Sequence, residues 1–167
     1  GACLSVKNNS DKARDFKIHY FLSDAEPMSV FLYDLLVNKK SIVFERSRTK
    51  TEETAMLINE RNLKIQARFP VRVKTHHSSV SKRLREDAES SIKMNAETSI
   101  NAIISTSTLE LGIDIGDLDQ IVQIGGLSSS GSFLQRVGRT GRRPDRPQFF
   151  RGLCDDEDEL VLLTGCV

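Results

Sequence analysis

Along the 167 residues the spacing of apolar positions switches repeatedly between a period of two and one of three to four, and each switch marks a change of element. Residues 16–21 have strand spacing. Ser23, Asp24 and Pro27 then supply helix-start chemistry, and Met28, Phe31, Leu32, Leu35 and Leu36 recur at i, i+3, i+4, i+7 and i+8, which predicts an amphipathic helix. Residues 41–45 predict a second strand. Thr49 and Glu52 have the spacing of a capping box and open a helix running through Ala55, Leu57 and Ile58 toward Asn62. Residues 69–75 read as a third strand, and Ser81 caps a helix whose apolar stripe is Leu84, Ala88 and Ile92. Residues 100–105 and 120–124 are two further strands, residues 132–137 a short helix stopped by Gly138 and Gly141, and residues 148–154 a last strand. Residues 1–14 are polar and aperiodic, a flexible lead-in to a domain spanning 15–167, and residues 128–131 read as a flexible connector.

Strands apolar on both faces, alternating with helices of about ten residues, imply βαβ crossovers. The expected fold is therefore α/β, three layers with a mainly parallel sheet covered by helices on both faces. Ligands of such sheets bind beyond the carboxyl ends of the strands, so the loops after each strand are where chemistry is expected.

Composition narrows this further. Hydrophobic residues at 38% supply a core and charged residues at 28% with mixed sign exclude disorder, in a chain of one domain's length. No apolar run exceeds strand length and no leader-like stretch opens the chain, so no membrane partner is expected. Cys3, Cys154 and Cys166 form no CxxC pair and have no histidine at metal spacing. That argues against a disulfide framework or a metal site, and for a reducing, intracellular (cytoplasmic) setting. The net charge of +1 hides a local +5 over residues 133–151 and a local −5 over residues 152–167. The acidic run 155–159 is either a solvated loop or a partner for the neighbouring arginines.

Three constellations carry candidate chemistry. In residues 135–143, Arg136 and Arg139 share a helix face, and Gly138 and Gly141 let the backbone turn Arg142 the same way. Converging guanidiniums suit phosphate oxygens, although a solvated basic helix would have the same composition. Residues 105–115 place hydroxyls, then Gly112 and Asp114, directly after an apolar strand. That arrangement fits a phosphodiester and a ribose hydroxyl, or simply a turn in which Asp114 caps local backbone. Residues 75–83 end a strand and open a helix with Lys82 and Arg83 at its positive end, a placement relieved either by a bound phosphate or by Glu86 and Asp87 one turn on. His76 and His77 lie side by side there, on opposite faces of the strand and without a third ligand in view.

In this order the pieces closely resemble the second RecA-like domain, the helicase C-terminal domain, of superfamily 2 helicases. Residues 41–48 are similar to helicase motif IV, 75–86 to motif IVa, 104–115 to motif V and 135–142 (QRVGRTGR) to motif VI, so the resemblance covers residues 16–163. The phrasing is most similar to the large helicase-related, DExH-type branch. Gln135 replaces the histidine that opens motif VI in DEAD-box proteins, and Ser107 stands where those carry an aspartate.

The resemblance implies Arg139 and Arg142 as arginine fingers in ATP hydrolysis, with Gln135, Arg136, Gly112 and Asp114 at the nucleotide. It implies Thr106, Ser79, Ser47 and Arg48 as contacts to a DNA or RNA backbone. The chain has no GxxxxGK[ST] loop and no DExx carboxylate pair read after a strand as a magnesium site, so ATP and Mg2+ would be held mainly by an N-terminal RecA-like domain of the same protein. The chain is accordingly expected to be a fragment of a larger helicase and inactive alone. The alternative is a RecA-like module that binds nucleic acid or docks a protein without motor activity; a self-sufficient nucleotide-binding protein is opposed by the missing phosphate loop.

Overall fold

The structure, a computed structural model, describes residues 3–6, 13–22, 28–94, 99–110, 115–142 and 146–167. Among the described residues, seven strands form one sheet: β1 (Cys3–Val6), β2 (Arg14–Tyr20), β3 (Ser41–Phe44), β4 (Val73–His76), β5 (Ala102–Ser105), β6 (Gln120–Ile124) and β7 (Gln148–Cys154). The described residues also form five α-helices, the first four between strands and the last after β7: α1 (Met28–Leu36), α2 (Arg48–Lys64), α3 (Lys82–Lys93), α4 (Ser130–Val137) and α5 (Glu157–Cys166). The strand order is β1-β2-β7-β6-β3-β5-β4, parallel from β2 onward and antiparallel only between β1 and β2.

Two cores sandwich the sheet, because successive strand residues point to opposite faces. Ile42 and Phe44 of β3 face one way with Ile103, Ile121 and Phe150, under α3, α4 and α5. Val43 faces the other way with Ala102, Ile104 and Val122, under α1 and α2. The central strands are buried on both sides, which is why their sequences read as continuous apolar runs. The expected three-layer α/β fold is thus observed.

Four local expectations change. Cys3–Val6, inside the stretch read as a lead-in, pairs with β2. The cap of α2 is Ser47, whose Oγ accepts the Lys50 amide at 3.2 Å, so the helix starts before the Thr49–Glu52 pair. The third strand starts at Val73, and Phe69, read as part of it, is 79% exposed. The acidic run opens α5: Asp156 caps it by accepting the Asp158 and Glu159 amides at 3.0 and 3.2 Å. Three carboxylates in the first turn complement the positive helix end, so the cluster is a helix start and not a solvated loop. Ser23, Asp24 and Pro27 lie outside the described residues.

Candidate nucleotide and nucleic-acid faces

The parallel registers of β3, β5 and β4 bring the loops that follow them to one edge. Ser47 and Arg48 follow β3, Thr106 follows β5 and Ser79 follows β4, so the four residues expected on a nucleic-acid backbone share the carboxyl edge of three neighbouring strands. Arg48 donates from Nη1 to Ser79 Oγ at 2.9 Å, joining two of them directly. Ser47, Arg48 and Ser79 are exposed, and Thr106 is half-buried at the head of a 3-10 turn, residues Ser107–Leu109, that its side chain does not cap. The turn is pinned from beneath: Ser105 Oγ lies 2.8 Å from the carbonyls of both His76 and Thr106.

The arginine-rich segment separates into three environments. Phe133, Arg136 and Val137 form the buried side of α4, which Ser129 caps by accepting the Ser132 amide at 3.2 Å. Residues 128–131, read as a connector, are therefore partly helix cap and first turn. Arg136 points inward. Its Nε donates to Glu110 Oε1 at 3.0 Å, its terminal nitrogens bond Glu110 and Gln123, and its guanidinium carbon lies 4.3 Å from the Phe44 ring centroid. Gln135 is exposed. Arg139, half-buried beyond the helix end, donates from Nη2 to the Glu110 carbonyl at 2.7 Å. Arg142 is exposed beyond Gly141, whose φ of +59° and a backbone nitrogen only 2.9 Å from where a Cβ would stand exclude any larger residue there.

Motif VI is thus fastened to motif V through Glu110, which meets Arg136 with its carboxylate and Arg139 with its carbonyl. The sequence reading gave Glu110 no role; a carboxylate in a hydroxyl-rich loop, upstream of an arginine-rich helix, was the available signal. Gly112 and Asp114 lie outside the described residues. Between β3 and β6 the crossovers leave for opposite faces, and there Glu45 is buried, accepting from Thr54 Oγ1 at 2.6 Å. Burial pushes the Glu45 carboxyl above its ordinary range, opposed by the Thr54 bond and the Arg46 amide. Burial likewise raises Glu159, opposed by its ion pair with Arg46. Among the described residues no three metal-ligating side chains cluster, and no helix is long and apolar enough to cross a membrane.

Residues 28–144, most of the chain, match the helicase conserved C-terminal domain. The chain belongs to this family. Among relatives of this helicase C-terminal domain, the ATP-dependent helicase Lhr-Core of Methanocaldococcus jannaschii is 33% identical over 147 residues, covering 85% of the chain and 16% of the relative. The Lhr-Core helicase of Methanothermobacter thermautotrophicus is 32% identical over 149 residues, 83% of the chain and again 16% of the relative. The structure of the Mycobacterium smegmatis helicase Lhr bound to ssDNA and AMP-PNP superimposes with a TM-score of 0.77 at 28% identity, over 91% of this chain and 21% of that one. The C-terminal domain of the DEAD-box protein Dbp5 superimposes with a TM-score of 0.68 over 93% of this chain and 84% of its own. At 18% identity that likeness shows the RecA-like fold alone. The resemblance to the DExH-type, Lhr-like branch of superfamily 2 is therefore correct, and this helicase domain spans under a quarter of the length of these Lhr relatives.

Proposed function

We propose that the chain is the second motor lobe of an Lhr-like, ATP-dependent helicase, with Arg139 and Arg142 as arginine fingers and the Arg48, Ser79, Thr106 edge as its grip on one DNA or RNA strand. The observation that supports this best is the fastening of motif VI to motif V at Glu110, because it ties the arginine-bearing segment to the loop that begins at Thr106. Arg136, enclosed by Glu110, Gln123 and Phe44, holds α4 in place; it is a positioning residue here and not a phosphate ligand.

ATP, bound to a separate lobe carrying the phosphate loop and magnesium site, supplies the phosphoanhydride whose cleavage drives the cycle. Lobe closure exchanges the Arg139 bond to the Glu110 carbonyl for bonds to phosphate oxygens, and Arg142 approaches from beyond Gly141. Guanidiniums keep their charge and offer parallel donors, so they stabilise charge that grows in phosphoryl transfer, an effect of about 10³ to 10⁵ in rate. The hydroxyls of Ser79 and Thr106 and the Arg48 guanidinium meet the sugar-phosphate chain without reading bases, so grip is independent of sequence. Release of Arg139 back to Glu110 would accompany reopening, and each cycle would shift the motif V loop against the strand.

In the intact helicase, Arg139→Ala is expected to lower ATP turnover by at least about 10³-fold while single-strand affinity is retained. Steady-state ATPase and fluorescence anisotropy measured on the same preparation check this. Turnover near wild type would remove the finger assignment.

A further inference from the structure

The adjacent histidines after β4 have no part in the function proposed above, yet both rings are buried and all four of their nitrogens have partners. They face opposite ways. His76 lies 3.0 Å from Thr108 Oγ1 and 2.9 Å from Glu89 of α3. His77 reaches the other layer, where its Nε2 lies 2.7 Å from Glu52 in the first turns of α2, and its Nδ1 receives the Ser79 amide at 3.3 Å.

A ring nitrogen that accepts an amide N–H carries no proton. The His77 proton therefore sits on Nε2 and is donated to the Glu52 carboxylate. In that tautomer the ring ties α2 to the backbone of Ser79, while Arg48, at the start of the same helix, meets the Ser79 hydroxyl. One bond from α2 thus fixes the Ser79 side chain directly, and a second, relayed from Glu52 through His77, fixes its backbone. A histidine serving only as core filling would need its donor satisfied; it would not need its acceptor aimed at this particular amide.

We propose that His77 is a positioning residue for the nucleic-acid grip: anchored on Glu52, its imidazole holds the Ser79 backbone so that the Ser79 hydroxyl and the Arg48 guanidinium present themselves together to one phosphodiester. The inference rests on the reading of Ser79 and Arg48 as backbone contacts, and the experiment separates the two.

The chain, labelled with ¹⁵N, is titrated with a dT oligonucleotide and followed by amide shifts, which report affinity and folding together. His77→Asn, whose amide oxygen replaces Nδ1, is expected to stay within about threefold of wild-type affinity. His77→Gln, whose amide reaches only the Nε2 position, and His77→Leu are expected to weaken it about tenfold. The imidazole ¹⁵N spectrum of the unsubstituted chain should show His77 protonated on Nε2. A proton on Nδ1, or an asparagine variant no better than glutamine and leucine, overturns the inference while leaving the grip in place. If neither Ser79→Ala nor Arg48→Ala weakens binding, the grip itself is wrong and the inference falls with it.

Discussion

Arg136, Arg139 and Arg142 recur every third residue and occupy three different environments. Arg136 is 8% exposed, held by Glu110 and Gln123 beneath α4. Replacing it with alanine would leave a nearly buried carboxylate without its cation, and such losses cost about 3 to 5 kcal/mol. Arg136→Ala is thus expected to move the urea unfolding midpoint sharply downward, whereas Arg142→Ala, at an exposed position, should leave it nearly unchanged; parallel denaturation curves test the contrast. Arg136 and Arg139 both meet Glu110, but α4 ends at Val137, so Arg139 does so from beyond the helix and not from the shared helix face that the spacing predicted. What spacing alone did not separate was inward from outward, although Phe133 and Val137 flank Arg136 at i−3 and i+1 and mark its side of the helix as the buried one.

At the scale of elements, strongly periodic segments were read well and those governed by end chemistry less so. α3 emerges with its expected Ser81 cap, and β6 and β7 with their expected bounds. α5 was missed because five consecutive acids look like solvated loop until the first is seen as a lead and the second as a cap. The cap supplies a measurable share of stability: Asp156→Ala removes the acceptor for two first-turn amides and is expected to cost about 1 kcal/mol, visible as a lower thermal midpoint with an otherwise unchanged amide spectrum. The α2 start shifted for a related reason. Ser47 takes extended geometry and accepts from the third residue on, which a hydroxyl inside the first turn, such as Thr49, is not placed to do.

For the molecule as a whole, parallel architecture was legible because each central strand is apolar on both faces, but the order of the strands was not. Alternation records which face a residue takes and says nothing about which strand lies beside it. β7 lies between β2 and β6, and Arg151 of β7 reaches across to Asp15 of β2 at 2.7 Å. Burial alone would raise the Asp15 carboxyl, yet the hydrogen bond and charge of Arg151 hold it below its ordinary value. A lowered carboxyl contributes stability that is present above its unfolded value and lost as pH falls through its folded one. Asp15→Asn is therefore expected to unfold at a lower temperature than wild type at pH 7, with the gap closing as the pH falls below the ordinary aspartate range and through the lowered folded value; calorimetry from neutral to acid pH reads it.

The central position of β7 has a consequence for biosynthesis. Among the described strands, β7 alone hydrogen-bonds the β1–β2 ribbon to the block of β3, β4, β5 and β6. While a ribosome is still adding the residues before Gln148, the nascent chain holds two sheet fragments whose facing edges are both unpaired, the condition most open to mispairing with other chains. Closure of this sheet consequently waits for β7, which follows the six other described strands in chain order.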